Sequence, residues 1–536
     1  VLSAEDISKT GTDDLLMQLQ GSIPSLNVHL QPISDAASMI RPANLRGLSA
    51  DSTLITTNGK RRHHASVIAF QGGGVNDGSQ GADISVIPAI ALKRVEVLRD
   101  GASAQYGSDA IAGVINFVLD DISEGGSLSY KMGEYTEGDG ATSTIAGKYG
   151  MPLGQDGFVT ASFQIRQADD TSRSDQRPDA AALIAAGNTA VATPAQIWGA
   201  PKIDDDVTFF MNAGVMNSDG SESYMFGNYS ERDVDGGFYY RNPDGRDGVF
   251  TSGDFRLVGD VDGTCAYSTA GTVDPADYTL RNTIMADTSC FLMNQIAPGG
   301  YTPRFVGTIT DTSFTTGRRG DITDGFLSGY SYDLSGSVGR NEADFGLNNT
   351  VNPSMGPDTP RNFTTGSYIE LEKTFNFDLT KVVDSMTIAY GAEWREETFE
   401  VISGEEASWK AGKYALQGFN VGSHGFAGFS PDSQGSFTRR SYGVYADLEN
   451  QVSDELLLGG AFRYEDYSSF GDTNDFKLKA MYQVNENVSL RASTSTGFRA
   501  PTQGQVNVVN TQTTLVQGQL TQAQTLPGFK LGVGQL

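Results

Sequence analysis

The sequence predicts a mainly β protein. It reads as a transmembrane antiparallel β-barrel, with about fourteen strands in this chain, preceded by a small mixed α+β unit over residues 1–122. Three observations predict this. From about residue 124 onward, apolar and polar residues alternate with period two, which sends one face of each strand into an apolar medium and the other into a polar one. The connections between these segments are short and long in fair alternation, the arrangement of a membrane barrel whose long loops gather at one end. No stretch approaches the ~18 consecutive apolar residues of a membrane helix.

The elements follow in order. Thr12–Leu19 reads as a short helix, started by Thr or Asp and carrying apolar residues at three-to-four spacing. Val95–Leu98 and Val114–Val118 read as strands, with Gly47, Gly59, Gly101, Gly107 and Gly113 at the turns. In Met386–Trp394 one face is Met386, Ile388, Tyr390, Ala392 and Trp394, and the other Thr387, Ala389, Gly391 and Glu393. Residues 476–484 and 488–498 repeat the pattern. Residues 378–384, 452–455 and 484–487 read as tight turns, and 166–205, 231–313, 346–364 and 403–437 as long polar loops. Tyr130, Tyr149, Tyr390, Trp394, Tyr442, Tyr445, Tyr464 and Tyr467 fall near strand ends, where interfacial girdles form. A secreted β-protein with a packed core would also alternate, but it has no reason to sort its loops by length.

Composition narrows function. The net charge of −27 argues against nucleic acid as a partner. Four histidines, at 29, 63, 64 and 424, are too few for a rich metal centre, and no metal is expected. Neither a Gly-x-Ser-x-Gly elbow nor a His-Glu-x-x-His helix is present, so an enzyme is not expected. Residues 1–30 show no signal peptide pattern.

The segment Arg94-Val95-Glu96-Val97-Leu98-Arg99-Asp100-Gly101-Ala102-Ser103-Ala104-Gln105-Tyr106-Gly107-Ser108-Asp109-Ala110-Ile111-Ala112-Gly113-Val114-Ile115-Asn116 closely resembles the plug-domain signature of TonB-dependent outer-membrane receptors. Val1–Ile7, Asn44-Leu45-Arg46-Gly47-Leu48 and Asn58–His63 resemble further plug segments. Arg463–Tyr467 and Ser495–Pro501 resemble barrel strands of that family. The resemblance implies a plug over 1–122 inside the lumen of a barrel over 123–536, in the bacterial outer membrane. It implies energised import of a scarce bulky nutrient, first a ferric siderophore or other iron chelate, with a glycan or cobalamin as alternatives. A passive porin and an outer-membrane hydrolase are the readings from other classes. It also implies TonB and its inner-membrane energising complex as partners, through an N-terminal box absent from this chain, together with a small-molecule ligand, outer-membrane lipid and lipopolysaccharide. The family barrel has ~22 strands, the size class with a plugged lumen, so the barrel is expected to be incomplete at the C-terminus.

Several residue groups become candidates. Arg46 and Arg99 lie in plug motifs, and strand parity sends Glu393, Glu449 and Glu465 to the lumen. Together they suggest a plug–barrel latch of buried arginine–carboxylate pairs. Lys60, Arg61, Arg62, His63 and His64 form the one basic cluster, followed by Phe70, Gln71 and a glycine-rich run. They read as a cationic rim for an anionic ligand, or else as a solvated turn or a plug–barrel contact. Trp198, Phe238, Tyr239 and Tyr240 suggest an aromatic platform that would suit a sugar. Cys265 and Cys290 lie in the longest loop and are expected to be bonded in an oxidising compartment. Asp233, Asp235, Asp244, Asp260 and Asp262 in the 231–264 loop have oxygen ligands for calcium but no EF-hand spacing, and Asp-Gly is first a turn signal. No cofactor is expected.

Overall fold

The computed structural model describes residues 1–3, 6–7, 14–27, 33, 35–69, 74–268, 271–508, 510–516 and 519–525. Five strands form a plug sheet: β1 (Leu2–Ser3), β2 (Thr53–Thr57), β3 (Lys60–Arg61), β4 (Leu92–Leu98) and β5 (Gly113–Leu119). Their order is β1-β4-β5-β2-β3, with β2 and β5 parallel. Leu92, Val95, Ile115, Phe117 and Leu119 of this sheet share one buried cluster with Leu15, Leu16 and Leu19 of helix α1 (Leu15–Gln20). Each such side chain contributes ~1.5–3 kcal/mol on burial. The cap of α1 is Asp14, whose carboxylate accepts from the Leu16 and Met17 amides at 3.0 and 3.2 Å. Thr12 and Asp13 lie outside the described residues.

Thirteen strands, β6 to β18, form one antiparallel sheet in strict sequence order. They are Gly126–Gly133, Thr142–Leu153, Gly157–Ala168, Lys202–Met216, Glu222–Gly236, Arg304–Ile322, Tyr330–Asn348, Phe363–Val383, Met386–Ser403, Gly435–Gln451, Leu456–Tyr467, Gly471–Asn485 and Val488–Ser495. β6 and β18 are the two edges and do not pair with each other. The count is thirteen rather than about fourteen; residues 510–516 and 519–525 pair separately as a hairpin.

Loop length is sorted by end. Residues 154–156, 217–221, 323–329, 384–385, 452–455 and 486–487 connect the strands at one end. Residues 134–141, 169–201, 237–303, 349–362, 404–434 and 468–470 connect them at the other. The strands run further than the sequence indicates. Residues 378–383 continue a strand, and the turn shrinks to Asp384 and Ser385, with Asp384 at φ +53°.

The sheet carries its apolar side chains outside. Along β15, Tyr442 and Val444 are 58% and 52% exposed, while Arg439 and Ser441, of the opposite parity, are buried inward. This inversion suits lipid outside and a filled polar lumen inside. Two expected girdle residues belong to the inner face instead. Tyr445 donates to Asp378 at 2.8 Å and Tyr467 to Glu465 at 3.0 Å, because both share the parity of inward Arg463 and Gly443. At the long-loop end, 237–303, 349–362 and 404–434 share one core of Phe250, Phe291, Tyr301, Val351, Tyr414 and Phe419.

Candidate functional site

The plug meets the barrel along one basic segment. β3 and the three residues after it run along the inner face of β10 to β14, and five consecutive side chains reach carboxylates. The Lys60 ammonium lies 3.2 Å from Asp333 and 3.4 Å from Asp378. Arg61 turns back into the plug, 2.8 Å from Asp109, and also donates to the Tyr106 and Ser108 carbonyls at 2.9 Å each. Arg62 and the His63 Nε2 reach the two oxygens of Asp311 at 2.6 and 2.9 Å. The His64 amide and Nδ1 lie 2.8 and 2.5 Å from Glu372. Ser66 continues the line, donating from its amide to Asn341 at 2.8 Å.

Two carboxylates are the hubs. Asp311 on β11 also accepts from Asn228 at 2.9 Å and Asn341 at 3.0 Å, so both oxygens are fully used. Asp109 in the plug signature faces His64 and Arg395 at 3.7 Å each and Arg499 at 3.9 Å, besides Arg61. Burial alone would raise the Asp109 carboxyl, but Arg61, then His64 and the two barrel arginines, hold it below its usual range. Burial opposes the charged form of His64, and the Glu372 carboxylate outweighs it, so His64 titrates above its usual value. Further plug–barrel pairs are Asp83–Arg232 at 2.9 Å, Asp51–Arg499 at 3.0 Å and Asp100–Lys477 at 3.3 Å. Buried pairs of this kind add little net stability over an apolar contact, yet removing one partner strands a buried charge. They therefore fix position and register.

Two glycines let the surfaces approach. A Cβ at Gly339 of β12 would overlap the His63 ring. A Cβ at Gly107, which also sits at φ +85°, would lie 2.8 Å from the Arg463 guanidinium; both side-chain loss and left-handed backbone require glycine there.

The latch expected of Arg46 and Arg99 is not formed. Both are exposed, Arg46 in a left-handed turn at φ +58°, and neither has an ion pair among the described residues. Their expected partners are already taken within the barrel wall. Glu393 and Glu465 lie 3.1 and 2.8 Å from Arg463, and Glu449 pairs with Lys479. The plug cations that meet the wall are Lys60, Arg62, His63 and His64, which places these residues at the plug–barrel interface. Arg62, His63 and His64 are all buried. Asp311, Glu372 and Asp109 escaped the sequence reading, because alternation does not say which inward carboxylate of a strand will face the plug.

The other candidates separate. Phe70 and Gln71 lie outside the described residues. Trp198 is exposed in the 169–201 loop, whereas Tyr240 is buried and donates to the Gly299 carbonyl at 2.6 Å. Tyr239 packs edge-on against Phe238. No shared aromatic platform results. Cys265 and Cys290 are bonded, with Cα atoms 5.1 Å apart. The five aspartates disperse. Asp233 and Asp235 are on strand β10, accepting from Thr308 at 2.5 Å and pairing with Arg304 at 2.7 Å. Asp244 pairs with Arg256 at 2.8 Å, and Asp260 and Asp262 accept from loop amides. Among the described residues, the group with metal-ligand proximity is His64, Glu372 and Glu397. Its carboxylates already serve His64, Arg395 and Arg439.

Comparison with known proteins agrees with this architecture. Residues 1–114 match the family model of the TonB-dependent receptor plug domain, and 232–527 that of the TonB-dependent receptor-like β-barrel. The chain is 24% identical over 518 residues to the ferric enterobactin receptor PirA of Pseudomonas aeruginosa, covering 95% of this chain and 59% of that relative. A crystal structure of a variant of the ferric enterobactin receptor PfeA of Pseudomonas aeruginosa superposes with a TM-score of 0.63 at 16% identity, covering 98% of this chain and 65% of that one. The siderophore receptor PirA of Acinetobacter baumannii gives 0.60 at 16% identity, covering 98% and 64%. The chain thus spans less than two thirds of the length of these relatives. It belongs to the TonB-dependent receptor family, the plugged β-barrels of the bacterial outer membrane.

Proposed function

We propose that the protein imports a ferric siderophore or related iron chelate across the outer membrane, energised through TonB. The observation that carries this reading is the filled lumen: a folded plug joined to the inner wall at Lys60, Arg62, His63 and His64 by charge-assisted hydrogen bonds. A passive porin needs an open lumen. A plug fixed by several buried pairs moves when work is done on it, which suits a receptor drawn open from the periplasm. The similarity to receptors named for ferric enterobactin and siderophores favours an iron chelate over a glycan. The dispersed aromatic residues lend the glycan reading no support.

The test is uptake of radio-iron, supplied as a ferric siderophore, by iron-starved cells expressing the full-length protein with and without functional TonB. Uptake that requires both the protein and TonB is expected. Uptake that persists without TonB would indicate a pore. Growth on a glycan that requires the protein, with no iron uptake, would move the substrate to the runner-up class.

A further inference from the structure

Three of the loops at the long-loop end, 237–303, 349–362 and 404–434, meet at His424, which is completely buried. Its amide donates to the Val351 carbonyl at 2.8 Å, and its carbonyl accepts from Thr350 at 2.6 Å, which ties 404–434 to 349–362. Its ring ties 404–434 to 237–303. Nδ1 lies 2.9 Å from the Tyr301 hydroxyl and 3.3 Å from the Arg241 Nε, and Nε2 lies 3.3 Å from the Arg246 Nε. A guanidinium N–H can only donate. Arg241 faces Nδ1 and Arg246 faces Nε2 in this way, and a neutral imidazole carries one lone pair with which to accept from them. The neutral ring fits this geometry. A second ring proton would remove that lone pair, set N–H against N–H at both nitrogens and place a third cation beside Arg241 and Arg246.

We propose that His424 is an acid-sensitive pin that holds the three external loops together as one cap near neutral pH and releases them when it protonates. The charged and titratable groups around the ring are Arg241, Tyr301, and Arg246 with its neighbour Asp247, all from 237–303. From 349–362 comes Arg361, 5.5 Å from the Tyr301 ring centre. Burial, then Arg241 and Arg246, holds the His424 imidazolium well below its ordinary range. Tyr301 is pushed up to about 12 by burial, so it stays a neutral hydroxyl throughout. The sign follows from linkage. A histidine whose folded pKa is depressed stabilises the closed cap above its unfolded value of ~6.5 and loses that contribution as pH falls below it. The disulfide between Cys265 and Cys290, inside 237–303, does not cross between loops, so it leaves this opening free.

Amide hydrogen exchange on the purified full-length receptor in detergent tests the proposal, comparing 237–303, 349–362 and 404–434 with the barrel strands after correction for intrinsic pH dependence. Opening of the cap should rise about thirtyfold between about pH 7.5 and pH 5, with the barrel strands unchanged. His424→Gln should remove that pH dependence, and Arg246→Gln should reduce it while keeping the histidine. A cap whose opening is the same at both pH values overturns the proposal, and so does a His424→Gln protein that keeps the wild-type profile. If His424→Gln fails to assemble, an Arg246→Gln profile identical to wild type overturns it alone.

Discussion

The Arg62 guanidinium of the plug lies 2.6 Å from the Asp311 carboxylate of the barrel wall, and each side chain is only 2% exposed. That contact crosses from one domain to the other at 249 residues of sequence separation. Its surroundings explain why it holds. Asp311 also takes His63, Asn228 and Asn341, so its charge is fully solvated by protein. A single substitution there takes the carboxylate from two plug side chains, Arg62 and His63.

Asp311→Asn should loosen the plug while the barrel still assembles. Breaking one partner out of a buried pair typically costs ~3–5 kcal/mol. Cells carrying the variant should become sensitive to a bulky hydrophilic antibiotic that the intact receptor excludes. Unchanged sensitivity with normal surface expression would argue that other pairs suffice.

Arg61→Ala and Arg99→Ala should differ sharply. Arg61 is half of the buried pair with Asp109 and supports the Tyr106 and Ser108 carbonyls; its loss should raise antibiotic entry. Arg99 is exposed and has no ion pair among the described residues, so its loss should change nothing measurable. Equal leak from the two would contradict this placement of the latch.

Plug retention should depend on pH at both ends. His64 is raised in the folded protein, so its contribution is full below ~6.5 and is lost as pH rises through its folded value. Asp109 is depressed, so its contribution is full above ~3.9 and is lost as pH falls through its folded value. Protease sensitivity of the plug in detergent, followed across pH, should therefore be least between those limits. His64→Gln should abolish the alkaline limb and spare the acid one.

Reducing the Cys265–Cys290 bond should affect the cap only. Closing a loop of this size removes roughly 3 kcal/mol of chain entropy from the unfolded state. An unreduced digest should contain the linked peptides, and reduction should increase hydrogen exchange across 258–292 with the barrel unaffected. Free thiols at both positions in the native protein would contradict the bond.

Much of the architecture was legible because lipid enforces it. A strand between lipid and a polar lumen must alternate, so Tyr442, Ser441 and Val444 declare their sides. Tyr445 and Tyr467 were misread because proximity to a strand end says nothing about parity. The site was harder. Asp311 is one inward carboxylate among many, and only the fold brings it to Arg62. Arg46 and Arg99 drew attention as motif residues, yet a left-handed turn and a strand end turn them to solvent. The run Lys60–His64 was conspicuous in a chain of net charge −27, with a plug–barrel contact among its readings, but only the fold shows that it faces Asp333, Asp378, Asp311 and Glu372.

A double-mutant cycle on Arg62 and Asp311 tests the latch most directly. The free energy of plug release would be measured in the assembled receptor for Arg62→Ala, Asp311→Ala and both together. Each single variant should be strongly destabilising, and the double should cost far less than their sum, with a coupling of ~2–3 kcal/mol. Additive effects within ~0.5 kcal/mol would show that the two residues do not act on each other and that the plug is held elsewhere.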